Sequence, residues 1–323
     1  MNQKQKMWRC LETINEVVSF FYFFMFPIAL LLNGVAAWVS LHLRSTSTFI
    51  VYLKNLVAAD LLMTLTLPLM AASKLPGAMI ELRMFSCRYS DVIFYNCLYT
   101  SITLMGLISL DRFFKIVRPC GKVLGQNVVF SLVMSTLVWV VLFALPNIIL
   151  SNRSVTNGTE ISSCMNLKGP VGLEIHENIV IYLNVLFWLV SVVIVVCYIC
   201  ITNKVIQSFR NSGSNNNQGK QKIKLRVFLV VIVFFVSFGP YHFVRIPYTF
   251  QQVNYSSNTD CSYLKGRFAK EFSLWFATTN ICMNPLLYIF LCREFKEKLM
   301  SMMKNLSISF QAASAGISPQ SRS

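Results

Sequence analysis

The sequence predicts an all-α membrane protein, a bundle of seven transmembrane helices followed by a short amphipathic helix at the membrane interface. Three observations carry that expectation. The chain of 323 residues is 55% hydrophobic and only 13% charged, about half the charge of a soluble domain. Its apolar residues gather in seven runs, each near the roughly 20 residues that a helix needs to cross a bilayer. The basic residues, which give a formal net charge of +16, fall in the connections between those runs, where they set membrane topology. That placement turns the charge away from nucleic acid, and no nucleic-acid partner is expected.

The runs cover residues 17–43, 49–72, 85–117, 128–149, 179–206, 227–250 and 268–291. Inside lipid every backbone N–H and C=O needs an internal partner, so helices are the only sensible assignment. Residues 1–16 precede the bundle and form its N-terminal segment. The first ten are polar and basic, without an apolar stretch ending in a cleavage site, so the first run is expected to insert as a signal anchor. The bundle itself takes in residues 17–292. In residues 293–306, Phe295, Leu299, Met302, Met303 and Leu306 recur at helical spacing, with Lys296, Lys298 and Lys304 between them. Such a helix lies in the interface with its lysines on anionic lipid headgroups. Residues 307–323 are Ser-rich and are expected to form a disordered cytoplasmic tail.

Two cues orient the bundle. With Ser323 inside, 17 of the 29 Lys and Arg fall on the inner side and 12 on the outer. The sequons at Asn152, Asn157 and Asn254 all fall on the other side, where glycans are added. The expectation is a multi-pass plasma-membrane protein with its N-terminus extracellular.

Asp60 stands in the middle of the second run, where a charge costs several kcal/mol unless it is paired or hydrated. Asn33, Ser101, Asn280 and Asn284 are spaced to converge on it. Two readings stand side by side: a sodium site that doubles as a hinge, or a protonated carboxyl in a hydrogen-bonded core. Pro240, after Phe238 and a glycine, and Pro285, in Asn284-Pro285-Leu-Leu-Tyr288, interrupt the sixth and seventh runs and should kink them. Asp111-Arg112-Phe113 closes the third run as an Asp–Arg pair at the membrane edge. Asp60 is read as the one charge deep in the membrane. With no inverted repeat and no paired half-helices, a transporter or channel is disfavoured. No nucleophile–base set is assembled, so no enzyme and no cofactor are expected, an allosteric sodium ion excepted.

The outer halves of the runs collect cations: Lys168, Arg245, Lys265, Arg267 and Lys270. His242, Arg245, Tyr248 and Gln252 share one face of the sixth helix, as Tyr95 and Tyr99 do on the third. Arg grips phosphate bidentately, Lys binds it as a point charge, and Tyr faces stack a base. An anionic, phosphate-bearing ligand is the natural reading; the alternative is headgroup anchoring. Asp91 is expected to pair with Arg88, three residues earlier.

Taken together, Asn33, Asp60, Asp111-Arg112-Phe113, Trp139, Pro240 and Asn284-Pro285-x-x-Tyr288 lie in the expected helices in order. Over about residues 17–304 the chain resembles the rhodopsin-like G-protein-coupled receptors. The stretches 47–55, 106–112, 145–150, 167–170 and 245–249 resemble the purinergic nucleotide receptors that respond to ADP or UDP-sugars, most of all the ADP-responding members. The resemblance implies a nucleotide pocket built from Tyr95, Tyr99, Lys168, His176, Arg245, Tyr248, Gln252 and Lys270. Phe94 stands where amine receptors carry a carboxylate, which argues against a cationic ligand.

The resemblance also implies disulfides Cys87–Cys164 and Cys10–Cys261, while Cys97, Cys197, Cys200 and Cys282 read as packing residues. Asp111, Arg112 and Phe113 would couple to a heterotrimeric inhibitory G protein that lowers cyclic AMP, with arrestin and receptor kinases as further partners. Cys292 ends the seventh run, and no Cys follows in 293–306 to take the usual palmitoyl anchor. Two departures stand out. Ile175 and Val180 flank His176 where the branch carries Trp and Asn, so the base or sugar end of the ligand differs. Asn284 stands where the branch usually has Asp. A UDP-sugar or a lysophospholipid is the alternative ligand.

Overall fold

The computed structural model describes residues 3–45, 47–118, 127–144, 164, 169–211, 217–254 and 261–314. Among them the regular structure is helical throughout. We number the helices α1 (Gln3–Leu41), α2 (Thr48–Lys74), α3 (Ile80–Phe85, a π turn at Ser86–Ser90, then Asp91–Ile116) and α4 (Val128–Trp139, continued by a π turn at Val140–Ala144). They continue with α5 (Pro170–Asn211), α6 (Asn217–Asn254), α7 (Cys261–Thr278 and Asn280–Leu291) and α8 (Arg293–Ser314). Helices α1, α2, α3, α5 and α6 are each long and apolar enough to cross a bilayer. Helices α7 and α8 meet that test together, bent from one another by 95°. The described part of α4 is shorter, and its expected continuation to residue 149 lies outside the described residues.

Local chemistry sets several of the starts. Ser47 caps α2 by accepting from the Ile50 amide at 3.4 Å, and Asn127 caps α4 by accepting from the Val129 amide at 2.9 Å. Such caps satisfy amides that a helix start leaves without partners. Helix α1 begins at Gln3 rather than at residue 17, because residues 3–16 hold good helix formers and no Gly or Pro. Helix α8 runs past its expected end at residue 306 to Ser314 for the same reason, which makes the first part of the expected disordered tail helical.

The helices pack in the order α1–α2–α3, with α3 against α5, α5 against α6, and α6 against α7, which closes back on α1. One core, around Tyr22, Leu67, Phe94, Phe187, Phe238 and Tyr241, extends from the half near Cys87 to Tyr198 and Phe113 beside Arg112. A second, around Leu53, Leu56, Leu104, Tyr288 and Phe295, fills the half near Arg112. The outward faces carry Phe20, Phe24, Leu31, Leu189 and Phe243, all exposed, as a lipid-facing belt requires. Contact between α3 and α5 is close at Gly106, where a Cβ would sit 2.9 Å from a Val190 methyl. On α8, Phe295 and Met302 are buried against the bundle, while Met303 and Leu306 stay exposed beside the lysines. Such a helix fits the interfacial placement expected of it.

Candidate functional site

The end of the bundle that carries the disulfide gathers the polar groups of the candidate ligand site. Arg245 is buried on α6, its guanidinium 5.4 Å from the centre of the Tyr95 ring and 5.9 Å from that of Tyr241. Tyr99 and Tyr248 also lie within electrostatic reach of it. No carboxylate stands within 4.0 Å of Arg245 among the described residues. Tyr248 stacks on Tyr263 at 5.9 Å, and Tyr99 meets the edge of His242 at 5.7 Å. The His242 ring in turn lies flat on Phe187 at 3.7 Å, with Nδ1 bonded to the Phe238 carbonyl at 2.8 Å. The face read on α6 therefore holds: His242, Arg245 and Tyr248 are buried together, and Gln252 is half-buried a turn beyond.

Lys270 is less simple than expected. Its ammonium donates to Glu271 Oε1 at 2.8 Å, while Lys74 of α2 donates to Glu271 Oε2 at 2.6 Å. Glu271 is buried, so Asp60 is not the one acid inside the bundle. A two-lysine bridge across α2 and α7 offsets the cost of burying that carboxylate. Lys74 also sits 5.4 Å from the Tyr22 ring. Sequence reasoning missed Lys74, Glu271 and Tyr241. An acid next to a basic residue inside an apolar run was the available signal. His176 is half-buried on the first turns of α5, and Lys168 lies outside the described residues. Asp91 takes the Ser86 hydroxyl at 3.3 Å and makes no ion pair with Arg88, because the π turn between them shifts the helical register.

The Cys87–Cys164 disulfide is formed, with a Cα–Cα distance of 5.5 Å. Cys10, one partner of the expected Cys10–Cys261 bridge, is an exposed thiol on the first turns of α1; the Cys261 side chain lies outside the described residues. Asn152 and Asn157, and the side chain of Asn254, also lie outside them.

Asp60 is fully buried in the middle of the bundle. Ser101 donates to Oδ1 at 2.9 Å; Asn284 and Tyr288 donate to Oδ2 at 2.8 and 3.0 Å. Asn280 joins through Asn284 at 3.2 Å. Asn33 does not reach the carboxylate. It donates instead to the Ile281 carbonyl at 2.9 Å, four residues before Pro285, an acceptor that the proline leaves without its helical amide. The amide oxygens of Asn33 and Asn280 are buried and accept from no donor among the described residues.

The family whose model matches is the 7 transmembrane receptor (rhodopsin family), over residues 32–288. This chain belongs to that family. Its similar relatives include purinoceptor 13 of Homo sapiens, 44% identical over 301 residues, 92% of this chain and 84% of that one. Purinoceptor 14 of Bos taurus is 39% identical over 287 residues, 88% of this chain and 84% of the relative. G-protein coupled receptor 87 of Mus musculus is 37% identical over 285 residues, 88% of this chain and 79% of the relative. Within the rhodopsin family the chain is a purinergic-type receptor, a multi-pass membrane protein and not an enzyme.

At the opposite end of this receptor, Asp111 pairs with Lys115 at 2.7 Å and accepts from the Thr48 hydroxyl. Arg112, the next residue, lies over the Phe49 ring at 4.9 Å. Phe113 is half-buried beside the core. Between this end and the Asp60 cluster sits a cavity of about 40 Å³, lined by Asn280, Asn284 and Tyr288 on one side and by Phe49, Ser109 and Tyr198 on the other.

Proposed function

We propose that this chain is a cell-surface receptor for an extracellular nucleotide of the ADP type, with its N-terminus outside, signalling through inhibitory G proteins to lower cyclic AMP. The observation that carries the ligand class is the buried Arg245 guanidinium, set among four tyrosines and without a carboxylate partner among the described residues. A charge so placed needs an anion, and a planar fork of donors suits a phosphate. The tyrosine rings offer faces for a base, and Lys270, on the neighbouring helix, offers a second grip on phosphate. The name purinoceptor, borne by the human and bovine relatives, supports a purine ligand here. A UDP-sugar is the second reading, supported by the similarity of this chain to the bovine purinoceptor 14 over nearly as much of its length as to the human purinoceptor 13. Ile175 and Val180 beside His176 alter the end of the site away from phosphate without choosing between the two.

Asp111, Arg112 and Phe113 form the coupling surface for the G protein, and by resemblance for arrestin and receptor kinases; α8 rests on membrane lipid. A sodium ion fits the oxygen set around Asp60, Ser101, Asn280 and Asn284, and the unsatisfied amide oxygen of Asn280 supports it. Sodium there holds the inactive packing of the bundle.

The deciding experiment applies ADP, UDP-glucose and lysophosphatidic acid to cells expressing the receptor and follows cyclic AMP. ADP is expected to lower it at the lowest concentration, and pertussis toxin to abolish the fall. A response to lysophosphatidic acid alone would overturn the nucleotide reading.

A further inference from the structure

The buried ion cluster beside Arg245 contains more than a phosphate grip needs. Lys74 and Lys270 each commit a donor to one oxygen of Glu271, at 2.6 and 2.8 Å, and all three side chains are at least four-fifths buried. Two ammonium groups thus share one carboxylate. Arg245 and Arg267 are further cations within electrostatic reach of Lys270. Asp91, bonded to Ser86, is a second acid within reach of both lysines, so four bases face two acids there. Glu271 therefore occupies the place of an anion that both lysines would otherwise hold.

We propose that Glu271 is a specificity-determining residue that sets how much negative charge the site accepts. The inference rests on the nucleotide reading above and deepens it. A phosphate chain entering beside Arg245 competes with a fixed carboxylate for the same two ammonium groups. A diphosphate meets the excess of positive charge that four bases and two acids leave at the site. A third phosphate brings further negative charge towards a carboxylate that stays in place, and like charges at short range in a poorly hydrated site repel strongly. Glu271 thereby favours the diphosphate over the triphosphate. Its position across α2 and α7 also ties that selectivity to the contact between those helices, since the lysines are held by one residue.

The test uses the full-length receptor purified in detergent, with binding measured as nucleotide-dependent thermal stabilisation. Mono-, di- and triphosphates of adenosine and of uridine are titrated on the wild type, Glu271→Gln, Lys74→Gln and the double variant. Wild type is expected to bind the diphosphate of one series more tightly than its triphosphate. Glu271→Gln should raise the triphosphate-to-diphosphate affinity ratio by about tenfold, the scale of one charge-assisted contact. Lys74→Gln should move the ratio the other way, and the double variant, which restores the charge balance, should return it close to wild type. If Glu271→Gln does not fold, the opposite shift in Lys74→Gln and its reversal in the double variant still decide. A ratio unchanged in the variants while the wild type binds nucleotides would overturn the proposal. A wild type stabilised by none of the six nucleotides would instead overturn the nucleotide reading itself.

Discussion

Arg245 and Asp60 are each a single charge placed where lipid surrounds the fold, and each is held in a different way. Arg245 rests on ring faces and has no acid within 4.0 Å among the described residues, whereas Asp60 receives three hydrogen bonds. If Arg245 grips phosphate, Arg245→Ala should weaken agonist potency by about tenfold to a hundredfold, the loss of one charged hydrogen bond. Arg245→Lys should be nearly as poor, because a point charge does not replace the fork. Potency per surface receptor is the measurement; an effect confined to expression would reduce Arg245 to a structural anchor. For Asp60, sodium and agonist should favour different packings, so sodium should lower agonist affinity by linkage. Asp60→Asn should remove that dependence in binding assays across a sodium titration. If the sodium effect persists in the variant, the carboxyl is part of a hydrogen-bonded core and nothing more. The Arg245 face was legible in the sequence because helical period alone places residues 242, 245 and 248 together. The Lys74–Glu271 bridge was not, since its partners lie 197 residues apart and only the closed bundle brings them into contact.

At the scale of the helix, Pro285 creates an acceptor at the Ile281 carbonyl, and Asn33 of the neighbouring helix uses it. Pro240 and Pro285 were legible as breaks in the hydrogen-bond ladder of α6 and α7, but the role of Asn33 was not. Its spacing is equally suited to Asp60 and to the Ile281 carbonyl, and the bond to a freed carbonyl prevails. Close approach of α3 and α5 is another feature invisible to periodicity, because Gly106 reads as a weak helix residue. Gly106→Ala would press a methyl against Val190, a β-branched side chain with little rotamer freedom. The expected cost is about 1–3 kcal/mol, the usual penalty of overpacking, seen as a lowered unfolding temperature in detergent. Val190→Ala in the same chain should restore most of it. A single variant as stable as wild type would mean that α5 shifts freely against α3.

For the molecule as a whole, seven apolar runs in order were enough to specify a bundle, since lipid permits little else. The ends of the helices were less legible, as the extra turns of α1 and α8 show, because apolar runs stop at the membrane while helices continue into polar residues. Orientation makes its own prediction. If the N-terminus is outside, Asn152 and Asn157 should carry glycans, and enzymatic deglycosylation of surface receptor should lower its mass on a gel. Asn152→Gln combined with Asn157→Gln should abolish most of that change; an undiminished change would take away the main support for the topology. The length of α6 has a mechanical consequence. With a rise of 1.5 Å per residue, Arg245 lies about 7.5 Å from Pro240, while the start of the helix at Asn217 lies about 35 Å away on the other side. Were Pro240 the fulcrum, the helix would be a lever of the first class with arms in a ratio of about 1 to 5. A ligand that drew Arg245 by about 1 Å would then swing the far end by roughly 5 Å, so a displacement smaller than a bond length at one membrane face would open a gap the width of a side chain at the other.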